Sequence, residues 1–289
     1  MRRFSRFAVA DWSGAQGPRQ KGIAIAICES DTAAPRLVRP AHIWSREEVL
    51  DWLVHELPDD TLLGMDLSPG LPFRDAGAFF PGWAESPANA RALWALVDRI
   101  STDDPHLAVS AFVDHPEASR YFRRHGGRRG DRFGEARRGR LRLVEGRQRD
   151  HGLAPYSCFN LVGAAQVGKS CLTAMRLLHR LDGRLPFWPY DPVPETGSVL
   201  VEIYTSLAAR AAGLPKGRSK IRDAAGLDAA LVALGSAPHE PLKSYDDHAT
   251  DAILTAAWLR AHAGRPALWQ PEGMDEEIAR TEGWTFGVA

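Results

Sequence analysis

Four short stretches of this chain are apolar at nearly every position, where a strand with one wet face would alternate. They are Arg6–Asp11 (RFAVAD) and the runs at 22–28 (GIAIAIC), 61–67 (TLLGMDL) and 198–204 (SVLVEIY). Strands apolar on both faces belong inside a sheet that helices cover from each side, which predicts an α/β fold. The turn-rich segment Ser13-Gly14-Ala15-Gln16-Gly17-Pro18 between the first two runs predicts an antiparallel hairpin. A weaker third strand is predicted over 36–44, interrupted by Pro40. Ser45 followed by Arg46-Glu47-Glu48 has the form of a helix N-cap, so a helix is expected to run to Glu56 before Pro58. The opening order is therefore strand, strand, strand, helix, strand. Further helices are predicted over 87–100, 169–181, 206–212, 226–234 and 246–263, the last stopped by Gly264 and Pro266.

With 289 residues, 44% of them hydrophobic and 25% charged, the chain has enough apolar surface for one large core. A single domain over 1–289 is expected, with an insertion at roughly 73–195 that is helical and Arg-rich. The formal net charge is zero, so contact with a polyanion requires a local basic region. Such a region lies between Tyr121 and Arg149, where Arg and Gly dominate. It reads as a mobile basic loop, and two uses stay open: phosphate contact through arginine forks, or a solvated insertion. Cys28, Cys158 and Cys171 lack the spacing of a zinc or redox pair and are expected as reduced core thiols. No run approaches the ~18–20 apolar residues of a membrane span, so a cytoplasmic protein is expected.

Acidic residues occupy the ends of the apolar runs. Asp11 closes the first, directly before a turn, and Asp66 the third, before Ser68-Pro69-Gly70. Either alone is an ordinary turn former. Two charges beside a core call for pairing, hydrogen bonds or a bound cation. A third acidic element opens the helix at 246–263 with Asp246-Asp247-His248-Ala249-Thr250-Asp251. Asp247 and Asp251 are four apart and share a helical face, with His248 and Asp251 also neighbours. Capping and dipole stabilisation account equally well for Asp246 and Asp247; Asp251 lies one turn further in. Ala249, Ala252, Ala256 and Ala257 let this helix approach the sheet closely, bringing its acidic start toward Asp11 and Asp66. Clustered oxygen donors suit Mg2+ or Mn2+ over Zn2+.

The strand-end Asp11, the later Asp66 and the His248-x-x-Asp251-Ala252 stretch resemble the ribonuclease H-like superfamily, particularly its RuvC-type nucleases. Met65-Asp66-Leu67-Ser68-Pro69-Gly70-Leu71-Pro72, Glu202-Ile203-Tyr204 and the residues from Asp247 to Ala252 are similar to the family DUF429, described as predicted nucleases of that fold. The similar positions are spread over most of the chain, in short motifs. This resemblance implies a mixed sheet flanked by helices and a nucleic-acid substrate, DNA or RNA. It implies Mg2+ or Mn2+ on Asp11, Asp66 and Asp251, with Asp247 or His248 as a further ligand or helper; Glu202 is either an additional member or an ordinary strand-end charge. Trp12, next to Asp11, departs from the pattern as a bulky neighbour that narrows access. Lys216 and Lys220 belong either to phosphate contact or to a solvated loop.

One motif competes. Residues 163–170 (GAAQVGKS) satisfy G-x-x-x-x-G-K-[ST], a phosphate-binding loop in which Lys169 reaches phosphates and Ser170 a magnesium ion. The preceding residues 158–162 make a short, imperfect strand, and the motif leaves the acidic residues unexplained. A nucleotide-binding ATPase or GTPase, an actin-like or sugar-kinase-like ATPase, and a non-catalytic nucleic-acid-binding module stand as the alternatives to a nuclease.

Overall fold

The structure, a computed structural model, describes residues 4–134, 139–162, 167–215 and 220–289. Its centre is a six-stranded mixed sheet of β1 (Arg6–Asp11), β2 (Ala24–Glu29), β3 (Arg36–Leu37), β4 (Thr61–Asp66), β5 (Phe187–Trp188) and β6 (Val199–Glu202), in the order β3-β2-β1-β4-β6-β5. β1, β2 and β3 form an antiparallel arm, whereas β4 lies parallel to β1, β6 to β4 and β5 to β6. The predicted hairpin is thus formed.

Alternation along the strands divides the core into two layers. Ala8, Ala10, Leu63 and Met65 face α1 (Arg46–His55), α2 (Ala90–Ile100) and α5 (Val167–Leu181), where Trp52, Leu93, Leu172 and Met175 fill the space. Phe7, Val9, Leu62 and Val201 face α6 (Thr205–Ala211), α7 (Ala224–Ala233) and α8 (Asp247–His262). The small-residue stripe of α8 is wholly buried, with Ala252, Ala256 and Ala257 inaccessible to solvent. The sheet reciprocates at Gly64, where an added Cβ would stand 2.7 Å from Ile203 Cγ2 and 3.4 Å from Leu259 Cδ2. Small residues on α8 therefore let it lie close over β1 and β2, with Leu259 reaching Gly64 of β4.

Ser45 caps α1 through a full capping box with Glu48. The third strand is much shorter than predicted. Beyond Leu37 the chain turns through left-handed conformations at Arg39 (φ 51) and Ala41 (φ 63), and Trp44 rejoins only as an isolated bridge to Gln20. Pro40 between them brings no N–H and cannot carry a ladder on.

Residues 73–195, between β4 and β6, supply α2, α3 (Ser110–Asp114), α4 (Leu143–Asp150), α5 and β5. The expected mobile basic loop is not what its described residues form. Leu143–Asp150 is helical, Arg124 pairs with Asp114, Arg140 with Asp75, and Arg142 is fully buried against Glu145 and Glu202. The nearby acids that a local tally of charge overlooks come largely from outside the segment, and they fix these arginines in place. The three cysteines are free thiols and buried. Among the described residues no helix is long and apolar enough to cross a membrane.

Candidate functional site

Asp11 and Asp66 are the final residues of β1 and β4 and stand directly opposite each other in the parallel register. Neighbouring strands lie ~4.8 Å apart, so the two carboxylates leave the same edge of the sheet on the same face. That face is the one α8 covers. The first turns of α8 thereby meet the strand ends, and His248 Nδ1 hydrogen-bonds Asp11 Oδ2 at 2.7 Å. Gly22 makes room for the imidazole, since a Cβ there would lie 3.2 Å from His248 Cε1.

The acids opening α8 divide their tasks. Asp246 is the cap, accepting from the Ala249 N–H at 3.0 Å. Asp247 is free of capping and points at Arg222 and, at 3.4 Å, at Lys220. Asp251, one turn on, takes Lys220 Nζ at 2.9 Å. Lys220 thus lies between two carboxylates that share a helix face, a place in which a cation is electrostatically welcome. Asp66 is partly buried and receives no ion pair or hydrogen bond from a described side chain.

These surroundings set the charges. Burial pushes Asp11 above the ordinary carboxylate range, and the bond to His248 offsets part of that rise. Asp66 is raised well above it, by burial first and then by Asp11, Asp251 and Glu202. Burial also raises Asp251 despite Lys220, whereas Arg222 and then Lys220 hold Asp247 below the usual value. The hydrogen bond to Asp11 pushes His248 up, so it holds its proton to higher pH than a free imidazole. The result is a group of acids whose ionisation is resisted most strongly at Asp66.

Among the described residues no three His, Cys, Asp or Glu side chains converge into a ready coordination sphere. Asp11, Asp247 and Asp251 are instead drawn onto His248, Arg222 and Lys220. Asp66 keeps its oxygens open to a cleft of about 300 Å³, which Trp12, Tyr156 and Tyr204 also line. Trp12 does not plug this cleft; its indole N–H is held by Ser170 O and Thr173 Oγ1, both at 3.2 Å, and the ring forms a wall.

Of the two roles open to Glu202, cluster member or strand-end charge, its described partners are those of a buried structural charge. It ends β6 but is 3% exposed and clasped by Arg142, whose Nη2 and Nη1 reach its two oxygens at 2.6 and 2.8 Å. Thr285 Oγ1 donates a further bond at 2.7 Å. Burial disfavours the Arg142 cation, but Glu202 and Glu145 outweigh it and hold the guanidinium charged well past its ordinary range. Three of the roughly four lone-pair positions of this carboxylate are thereby taken, which makes Glu202 first the buried partner of Arg142.

Of the phosphate-loop motif, residues 163–166 lie outside the described residues, as does Lys216. Residues 158–162 form a turn and one isolated bridge at Asn160 rather than the strand such a loop follows. Ser170 Oγ accepts the Gly14 N–H at 3.0 Å, and Lys169 Nζ lies 3.1 Å from His125 Nε2. Arg142, Arg222 and the tie of Lys220 to α8 were not legible in the sequence, because each joins segments 25 to 60 residues apart. No family model matches the chain, and no curated protein or solved structure is significantly similar to it.

Proposed function

We propose that this chain is a divalent-metal-dependent phosphodiesterase acting on nucleic acid, a nuclease of the ribonuclease H-like fold and of the DUF429 kind. The observation that carries this reading is the pairing of Asp11 and Asp66 at register-matched ends of adjacent central strands, under the acidic start of α8. The strand order supports the fold assignment: an antiparallel three-strand arm continues into parallel β4 and β6.

The donor set suits Mg2+ or Mn2+ in kind, being hard carboxylate oxygen, and Lys220 on Asp251 marks a position that already attracts positive charge. Asp11, Asp66 and Asp251 would hold the ion, with Asp247 beside them. When bound, such an ion supplies an activated water and stabilises the leaving oxygen of a phosphodiester. The protein's own contribution starts with His248, which keeps a proton on Nδ1 toward Asp11 Oδ2 and so holds that carboxylate ionised and oriented. Lys220 neutralises Asp251 while no other cation is near, and Trp12 with Tyr204 shapes the cleft above Asp66.

The test pairs calorimetric Mn2+ and Mg2+ titration with cleavage of labelled single- and double-stranded DNA and RNA. Wild type is expected to bind the ion and cut at least one substrate. Asp66→Asn should lower both by about a hundredfold or more, beyond the ~10–100-fold typical of losing a partner behind a ligand. A wild type that binds neither ion and cuts nothing overturns the proposal.

A further inference from the structure

The phosphodiesterase reading leaves Lys169 without a task. It stands in the first turn of α5, the one described hydrogen bond of its ammonium is to His125, and burial alone acts on that ammonium, lowering its pKa. Among the described residues no carboxylate pairs with it.

Lys169 lines a cavity of about 130 Å³ together with Gly14, Arg46, Arg124, His125 and Arg128, and Asp114 is the one acid among the described residues of the wall. Four formal cations thus face one carboxylate. Arg46 is occupied by three backbone carbonyls, those of Ser13, Ala15 and His106. Arg124 and Arg128 share a single oxygen, Asp114 Oδ1, at 2.6 and 3.3 Å. Arg124 Nε is buried and has no partner among the described residues. Buried donors are seldom left so. The wall therefore presents a lysine, a shared pair of guanidinium groups and an orphaned N–H, the chemistry that receives a tetrahedral oxyanion. The space exceeds the ~10–15 Å³ one water needs and falls short of the ~300 Å³ of a whole drug-sized ligand, so it fits a group, not a molecule.

Its position ties it to the acidic cleft. Gly14 forms its rim and is fastened to α5 by the bond to Ser170; a Cβ at Gly14 would collide with the Ser170 backbone nitrogen, so only glycine permits this approach. Gly14 is three residues from Asp11, a reach of at most ~11 Å between Cα atoms. Strand charges recur every ~3.4 Å along a nucleic-acid axis, so this upper bound spans no more than about three phosphates.

We propose that the cavity walled by Gly14, Arg124, Arg128 and Lys169 is a phosphate subsite that holds a phosphate ester group a few positions from the one presented to Asp11 and Asp66. The nature of the ligand as a strand rests on the phosphodiesterase reading; the anion site itself does not.

Binding is measured in EDTA, which removes metal-dependent cleavage, by fluorescence anisotropy of a labelled 5′-phosphorylated tetrathymidylate. Thymidine monophosphate and inorganic phosphate serve as competitors. Lys169→Gln and Arg128→Gln should each weaken binding about tenfold and make the salt dependence shallower by about 0.7 for each phosphate left without its cation. Arg99→Gln, at an exposed ion pair on α2, should leave it unchanged. Arg128 is more than half exposed, so its variant keeps the test open if Lys169→Gln fails to fold. An oligonucleotide bound at least tenfold more tightly than the mononucleotide assigns a strand, and equal affinities assign a free nucleotide; both support the subsite. Binding that is undetectable in wild type, or unchanged in both folded variants, overturns it. A protein that binds in this way but never cleaves with metal keeps the subsite and refutes the nuclease reading, and one that cleaves while binding ignores Lys169 and Arg128 does the reverse.

Discussion

Asp66 and Glu202 end neighbouring strands, and they differ in the partners the fold gives their charges. Glu202 is met on both oxygens by Arg142 and again by Thr285. Removing one member of such a buried pair strands the other, at a cost of about 3–5 kcal/mol. Asp66 has no such partner among the described residues and is repelled by Asp11, Asp251 and Glu202. Its neutralisation should relieve strain that a metal-free protein carries. Thermal melts in EDTA at neutral pH should therefore show Glu202→Gln strongly destabilised, while Asp66→Asn gains about 1 kcal/mol, a rise of ~2–4 °C. Shifts of the same sign in the two variants would refute this division of roles. Both carboxylates look alike in the sequence, as acids ending apolar runs. What separates them is Arg142, 60 residues away from Glu202, and no local pattern carries that distance.

Local patterns specify several elements, and α1 shows why. Its cap needs only Ser45 and Glu48, three residues apart, and both halves of the box form: Glu48 N–H to Ser45 Oγ at 3.0 Å and Ser45 N–H to Glu48 Oε2 at 2.8 Å. Partial burial opposes the Glu48 charge, but the Ser45 N–H, Arg19 and His42 outweigh it and bring its pKa to about 2. A depressed carboxylate stabilises the fold fully above its unfolded value near 4.3 and loses that contribution as pH falls toward the folded value. Glu48→Gln should thus lower the urea midpoint at pH 7, with the deficit shrinking steadily from about pH 4.5 to 2. A deficit independent of pH over that range would mean that the carboxylate charge is not the stabilising feature. Elements whose stability is non-local stay hidden. α4 reads LVEGRQRD, too polar to announce a buried helix, and is fixed through Arg142 by Glu145 and Glu202. β5 has two residues and exists through its pairing with β6. The third strand fails for a local reason, Pro40, whose effect extends further than one missing N–H.

At the scale of the molecule, the site depends on residues that carry no functional signature. The elements predicted from sequence end with α8, yet the last residues return to the sheet beside β6. The Phe286 N–H donates to Glu202 O at 2.8 Å, and Trp284, Phe286 and Val288 are buried in the core layer under α8. Trp284 closes the turn by donating its indole N–H to Val288 O. Burying side chains of this size contributes about 1.5–3 kcal/mol each, so the three together supply roughly 5–9 kcal/mol. That is comparable with the ~5–15 kcal/mol by which a whole domain is stable. A chain ending at Gly283 should consequently lose its cooperative thermal transition and become sensitive to limited proteolysis, whereas removal of the exposed Ala289 alone should shift neither. A truncated protein melting within about 2 °C of the full chain would show that the buried tail is dispensable. The same segment supplies Thr285 to Glu202, so any truncated form that stays folded leaves the Arg142–Glu202 pair one donor short at the border of the acidic cleft. Measured on that form, divalent-ion affinity separates a tail that only supports the core from one that also keeps Glu202 away from Asp66.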